Sequence, residues 1–122
     1  MFSDEKRALK RSTDKLKKAL GDKLISVTAF GSRVRGDFTG ESDFDVLVIV
    51  REKTFPIIEK VIDIFQDVEL KTNIPFSPIV KSIYAFEKEK KYKTGFFKNI
   101  ETEGVIFYGK IKHRGKNSSF RL

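Results

Sequence analysis

A mixed α/β (α+β) domain, in which a small mixed β-sheet packs against helices, is the fold class predicted by three features of this 122-residue chain. Two segments, Ser3–Leu20 and residues 54–70, carry apolar residues at helical spacing. Between them lie two strand-like runs. The second run ends in Val46-Leu47-Val48-Ile49-Val50, the unbroken apolar pattern of a central strand covered on both faces.

Size and composition bound the rest. A chain of this length holds one core and is too short for two. Hydrophobic residues make up 39% of the chain and phenylalanine alone supplies 12 residues, which sets it apart from disordered sequences. The absence of cysteine excludes a disulfide framework and a thiolate zinc site. His113 is the single histidine and lies in a polar tail, which argues against a histidine zinc site or a Ser-His-Asp triad. No apolar run approaches the roughly 20 residues of a membrane span, and the N-terminus lacks a signal-peptide core, so a cytoplasmic protein without membrane association is expected. The net charge of +8 fits first a lysine-rich solvated surface, and would also favour a polyanion such as a nucleoside triphosphate or nucleic acid.

The elements follow in order. Ser3 can cap the first helix, Asp4 and Glu5 suit its positive end, Leu9, Leu16 and Leu20 form its apolar side, and Gly21 stops it. A strand over residues 23–30 runs directly into Gly31-Ser32. Arg33-Val34-Arg35-Gly36 is enough for one helical turn, Gly40-Glu41-Ser42 forms a second turn, and residues 43–50 make the second strand. Thr54 caps the next helix, Pro56 is tolerated in its first turn, and Ile57, Ile58, Val61, Ile62, Ile64 and Phe65 supply the apolar stripe. Residues 74–82 read as a strand, and Pro75 and Pro78 place it at an edge because proline cannot donate to a ladder. A lysine-rich helical segment covers residues 84–91. A helix over residues 94–103, with Phe96, Phe97 and Ile100 on one side, stops at Gly104. Val105–Tyr108 forms a short last strand. The domain is drawn as residues 1–109, with a basic, flexible tail over residues 110–122.

Residues 31–50 concentrate the chemistry. Asp43 and Asp45 stand at i and i+2 of the predicted second strand, so both side chains leave one face with Cα atoms roughly 6.5–7 Å apart. Two carboxylates so close repel each other unless a cation neutralises them, and magnesium, or manganese, takes such ligands together with phosphate oxygens and waters. About ten residues earlier, Gly31 allows close backbone approach, and Ser32 and the amides of the turn can bond a phosphate oxygen. Arginine adds a planar, multidentate phosphate contact. If the two strands pair antiparallel, Ser32 and the aspartates flank one cleft.

Gly-Ser, three residues, Gly, then Ser-Asp-x-Asp leading into an apolar strand resembles the DNA polymerase beta-like nucleotidyltransferase superfamily, and above all its small single-domain members. The specific match spans residues 29–50, and the segment Glu-Gly-Val-Ile-Phe-Tyr-Gly at residues 103–109 looks like the end of small prokaryotic members. The resemblance implies a nucleotidyltransferase fold. It also implies transfer of a nucleoside monophosphate from a nucleoside triphosphate, ATP foremost, to a hydroxyl, with magnesium. It casts Asp43 and Asp45 as the metal-binding and catalytic aspartates. Gly31, Ser32, Arg33, Arg35, Gly36 and Ser42 then form the nucleotide-binding set. Fully active members place a third carboxylate on the next core strand, whereas residues 74–80 contain no acid; among its neighbours Asp67, Glu69 and Glu52, Glu69 is the best substitute. Three readings therefore stand side by side. One is a magnesium-dependent enzyme with a protein, RNA-end or small-molecule acceptor. Another is a nucleotide-binding partner module, an antitoxin paired with a HEPN-domain protein. The third is nucleic-acid binding through the basic first helix and tail.

Overall fold

Every residue of the apolar run Val46–Val50 is buried, and the sheet is assembled around it. The computed structural model describes residues 1–36 and 43–109. In chain order the described elements are α1 (Ser3–Leu20), β1 (Leu24–Phe30), α2 (Ser32–Arg35), β2 (Phe44–Val50), α3 (Phe55–Thr72), β3 (Phe76–Ser82), α4 (Ile83–Tyr92), α5 (Gly95–Glu103) and β4 (Val105–Tyr108). The strands form one mixed sheet in the order β3-β2-β1-β4. β1 runs antiparallel to β2 and to β4, while β2 and β3 run parallel. Helix α3 makes the crossover that a parallel pair requires.

Alternation along β2 decides which layer each side chain joins. Phe44, Val46, Val48 and Val50 enter the core shared with α1 and α3, among Leu9, Leu16, Val61 and Phe65. Leu47 and Ile49 point the other way, into a second cluster with Phe86, Phe97 and Ile100 from α4 and α5. Both faces of the strand are covered, so it needs no polar residue after Asp45. Each buried aliphatic side chain contributes roughly 1.5–3 kcal/mol relative to exposure.

Local signals fix the boundaries. Gly21 ends α1 at φ 56°, its amide donating to the Lys17 carbonyl. Thr54 caps α3 by accepting from the Ile57 amide, and Thr94 caps α5 by accepting from the Phe97 amide. The outer position of β3 agrees with the prolines, since Pro78 sits within the strand and costs no bond on the open side.

Some boundaries shift. Phe2 rather than Ser3 is the N-cap of α1, with Glu5 accepting the Phe2 amide at 2.8 Å. Asp43 lies just ahead of β2 rather than inside it. Ile62 is 40% exposed and outside the stripe that α3 buries, which is Ile57, Val61, Phe65 and Val68. The predicted tail, residues 110–122, lies outside the described residues.

Candidate functional site

The antiparallel register of β1 and β2 sets Phe30 opposite Asp45, so the end of the first strand meets the start of the second. Gly31 follows at once, with φ 90°, a conformation that only glycine adopts without strain. A second constraint coincides there: a Cβ at residue 31 would collide with Oδ2 of Asp45. The Gly-Ser turn and the aspartate are therefore in direct contact.

Helix α2 is a single turn whose Val34 and Arg35 amides donate to the Gly31 carbonyl. Gly36 closes it in the left-handed conformation, φ 86°, donating to the Ser32 carbonyl at 2.9 Å. Gly36 thus shapes the turn. Ser42 lies outside the described residues.

The two arginines separate. Arg33 is buried, its Nη2 2.5 Å from Glu5 Oε2 of α1, and its guanidinium lies 4.8 Å from the centroid of the Phe44 ring. Arg33, expected in the nucleotide-binding set, pairs with a carboxylate on the α1 side of the sheet. Arg35 is at the surface and reaches Glu103 Oε2 at 2.7 Å. Its charge also acts on Asp45.

Asp45 alternates with Leu47 and Ile49, so it belongs to the face covered by α4 and α5. Partial burial pushes its carboxyl above the usual value of 3.8, repulsion from Asp43 adds to this, and Arg35 opposes it. A folded-state carboxyl with a raised pKa costs stability once ionised, so a bound cation would relieve both causes. Asp43 is exposed.

No acid enters from β3. Its register puts Ser77 across from Asp45, and the Pro75 carbonyl accepts the Phe44 amide at 2.9 Å. Glu69, expected as a substitute ligand, instead accepts the Phe76 amide at 3.0 Å. Among the described residues no three His, Cys, Asp or Glu side chains gather into a metal cluster. The aspartate pair fits one magnesium completed by phosphate oxygens and waters.

Sequence reasoning missed Glu5 and Glu103, the partners of the two arginines. Glu5 already had a local explanation in the first turn of α1, and Glu103 lies 68 positions from Arg35. Nothing in the linear pattern connects either carboxylate to its arginine.

The sheet thus carries a Gly-Ser turn in contact with the second of two aspartates at the head of the neighbouring strand. The chain belongs to the family described as nucleotidyltransferase domain, whose model matches residues 13–108. Two Methanocaldococcus jannaschii proteins named as protein adenylyltransferases are similar to it. The first is 41% identical over 87 residues, covering 70% of this chain and 81% of the relative. The second is 34% identical over 105 residues, covering 86% and 99%. Among solved structures, a toxin–antitoxin complex with AMP-PNP contains a chain of similar fold, with a TM-score of 0.54, 17% identity, and coverage of 82% of this chain and 73% of that one. A Sulfolobus solfataricus protein described as a nucleotidyltransferase gives a TM-score of 0.52 and 23% identity, over 87% and 84% of the two chains. No helix among the described residues is long and apolar enough to cross a membrane.

Proposed function

We propose that this chain transfers an adenylyl group from ATP to a hydroxyl of a protein partner, with magnesium. The observation that carries the reading is the contact between Gly31 and Asp45, which joins a phosphate-binding turn to a metal-binding carboxylate. In the reaction the acceptor oxygen bonds to the α-phosphorus, the bond from that phosphorus to the bridging oxygen breaks, and pyrophosphate leaves. The hydroxyl proton passes to solvent or to a group on the acceptor, since no acid stands on β3 to take it.

Gly31 and Ser32 hold the terminal phosphates, Arg35 neutralises them, and Asp43 and Asp45 hold the metal. When bound, magnesium neutralises the phosphate charge and polarises the α-phosphate. Little covalent chemistry is left to the protein, whose work is positioning and electrostatics. Protein as the acceptor class is supported by the names of the two M. jannaschii relatives.

A second reading keeps the same nucleotide site but makes the chain the antitoxin of a HEPN-type toxin, with slow or no turnover. The missing acid on β3 and the fold's occurrence in a toxin–antitoxin complex with AMP-PNP favour it. One experiment addresses both readings: calorimetry of Mg·ATP binding to wild type, Asp43→Asn and Asp45→Asn, followed by α-labelled ATP with the co-purified partner. Magnesium-dependent binding lost in both variants, with label on the partner, is the expected outcome. Binding without labelling would select the second reading, and binding unaffected by either substitution would sink both.

A further inference from the structure

Five phenylalanines in the two cores are buried to 8% exposure or less: Phe44, Phe65, Phe76, Phe86 and Phe97. Phe30 and Phe96 behave differently. Both pack against the α4/α5 cluster, yet each keeps part of its ring at the surface. Phe30 is directly opposite Asp45 in the antiparallel ladder, so the two side chains share a sheet face with Cα atoms roughly 4.5–5.5 Å apart. Phe96 meets Phe30 edge to face, the ring centroids 5.6 Å apart and the planes at 84°. An aromatic wall thus starts beside the metal-binding carboxylate and leads away from it along α5.

The wall is held in place. The Lys81 ammonium of β3 lies 4.8 Å from the Phe96 centroid and pairs with Glu89 of α4. Glu89 in turn accepts the Thr94 hydroxyl at 2.7 Å, and Thr94 caps α5 two residues before Phe96. Ring position is therefore fixed by three elements. Ligand sites combine such apolar, largely pre-formed walls with a few placed polar groups.

We infer that Phe30 and Phe96 form the surface against which the nucleobase of the donor nucleotide packs. The inference rests on the proposed nucleotide site and extends it from the phosphates to the base. With phosphates on the Gly31-Ser32 turn and metal on Asp43 and Asp45, the α-phosphate lies beside Asp45, and the nucleoside must leave in some direction. The side of β2 that Phe30 occupies offers aromatic surface on the aspartates' own face. Packing against π-faces is tolerant of base identity, so the site should accept purine triphosphates with little preference.

Tripolyphosphate, which has no base, separates the two halves of the site. Calorimetry compares Mg·ATP, Mg·GTP and Mg·tripolyphosphate on wild type, Phe96→Ala and Phe30→Leu, the last retaining apolar volume should the first variant fold poorly. The expected result is that ATP and GTP affinity fall about tenfold in Phe96→Ala while tripolyphosphate affinity is unchanged, the size expected for losing one stacking partner. Nucleotide affinity that stays level in both variants would overturn the inference and leave the phosphate site standing. A loss of transfer alone in Phe96→Ala, with nucleotide binding intact, would overturn it as well, because the wall would then serve the acceptor. Failure of wild type to bind tripolyphosphate or either nucleotide would remove the phosphate reading and this one together.

Discussion

At the scale of single residues, Gly31 and the two arginines show how much one position decides. Gly31 is required twice, by a positive φ and by the carboxylate of Asp45 packed where a Cβ would be. Arg33 and Arg35 are two residues apart and have different fates. One is buried against Glu5, and the other is at the surface with Glu103. Breaking a buried ion pair by removing one partner is destabilising, so Glu5→Ala should lower stability, by up to about 3–5 kcal/mol. The paired replacement Glu5→Leu with Arg33→Met should recover most of that loss, as urea denaturation would read. Tripolyphosphate affinity in the double variant should match wild type; a large drop would return Arg33 to the phosphate site.

At the scale of elements, β3 is the strand that sets the limit on chemistry. Its parallel register with β2 brings Ser77 level with Asp45, on the same face as Ile79 and the α4/α5 cluster. A carboxylate there would join the two aspartates. Ser77→Asp should therefore lower the melting temperature without magnesium, because three like charges then crowd one sheet edge. With magnesium it should melt at or above wild type and bind the ion more tightly by calorimetry. If magnesium gave the variant no more protection than wild type, residue 77 would not face the metal position. Such a result would also weaken the placement of the aspartates on that face.

At the scale of the whole molecule, Lys81, Glu89 and Thr94 tie β3, α4 and α5 into one layer over the aspartates' face. Burial by itself would raise the Glu89 carboxyl, but the Lys81 ammonium and the Thr94 hydroxyl outweigh it and hold the group below its usual 4.5. The folded state then binds the proton less tightly than the unfolded chain. Its contribution is complete above 4.5 and is lost as pH falls through the lower folded-state value. Glu89→Gln should melt lower than wild type at neutral pH, and the two melting curves should converge on acidification below 4.5. A constant gap across that window would show that the tie contributes through packing and not through charge.

Much of this architecture was legible in the linear chain. The apolar run after Asp45, the helical stripes of α1 and α3, the cap Thr54, and Gly21 and Gly104 as stops all act through neighbours in sequence. The edge position of β3 followed from Pro78, for a backbone reason equally local. The adjacency of Gly-Ser and Asp-x-Asp could be read because both sit at strand ends. What the tertiary structure alone decided is which distant partners these charged side chains meet. Arg33 pairs with a carboxylate 28 positions away, Arg35 with one 68 positions away, and Glu69 accepts the backbone amide of Phe76. Periodicity and turn chemistry are short-range properties that a sequence carries openly. Ion pairs and the face a side chain occupies depend on register and packing between distant segments, and those exist only once the sheet has formed.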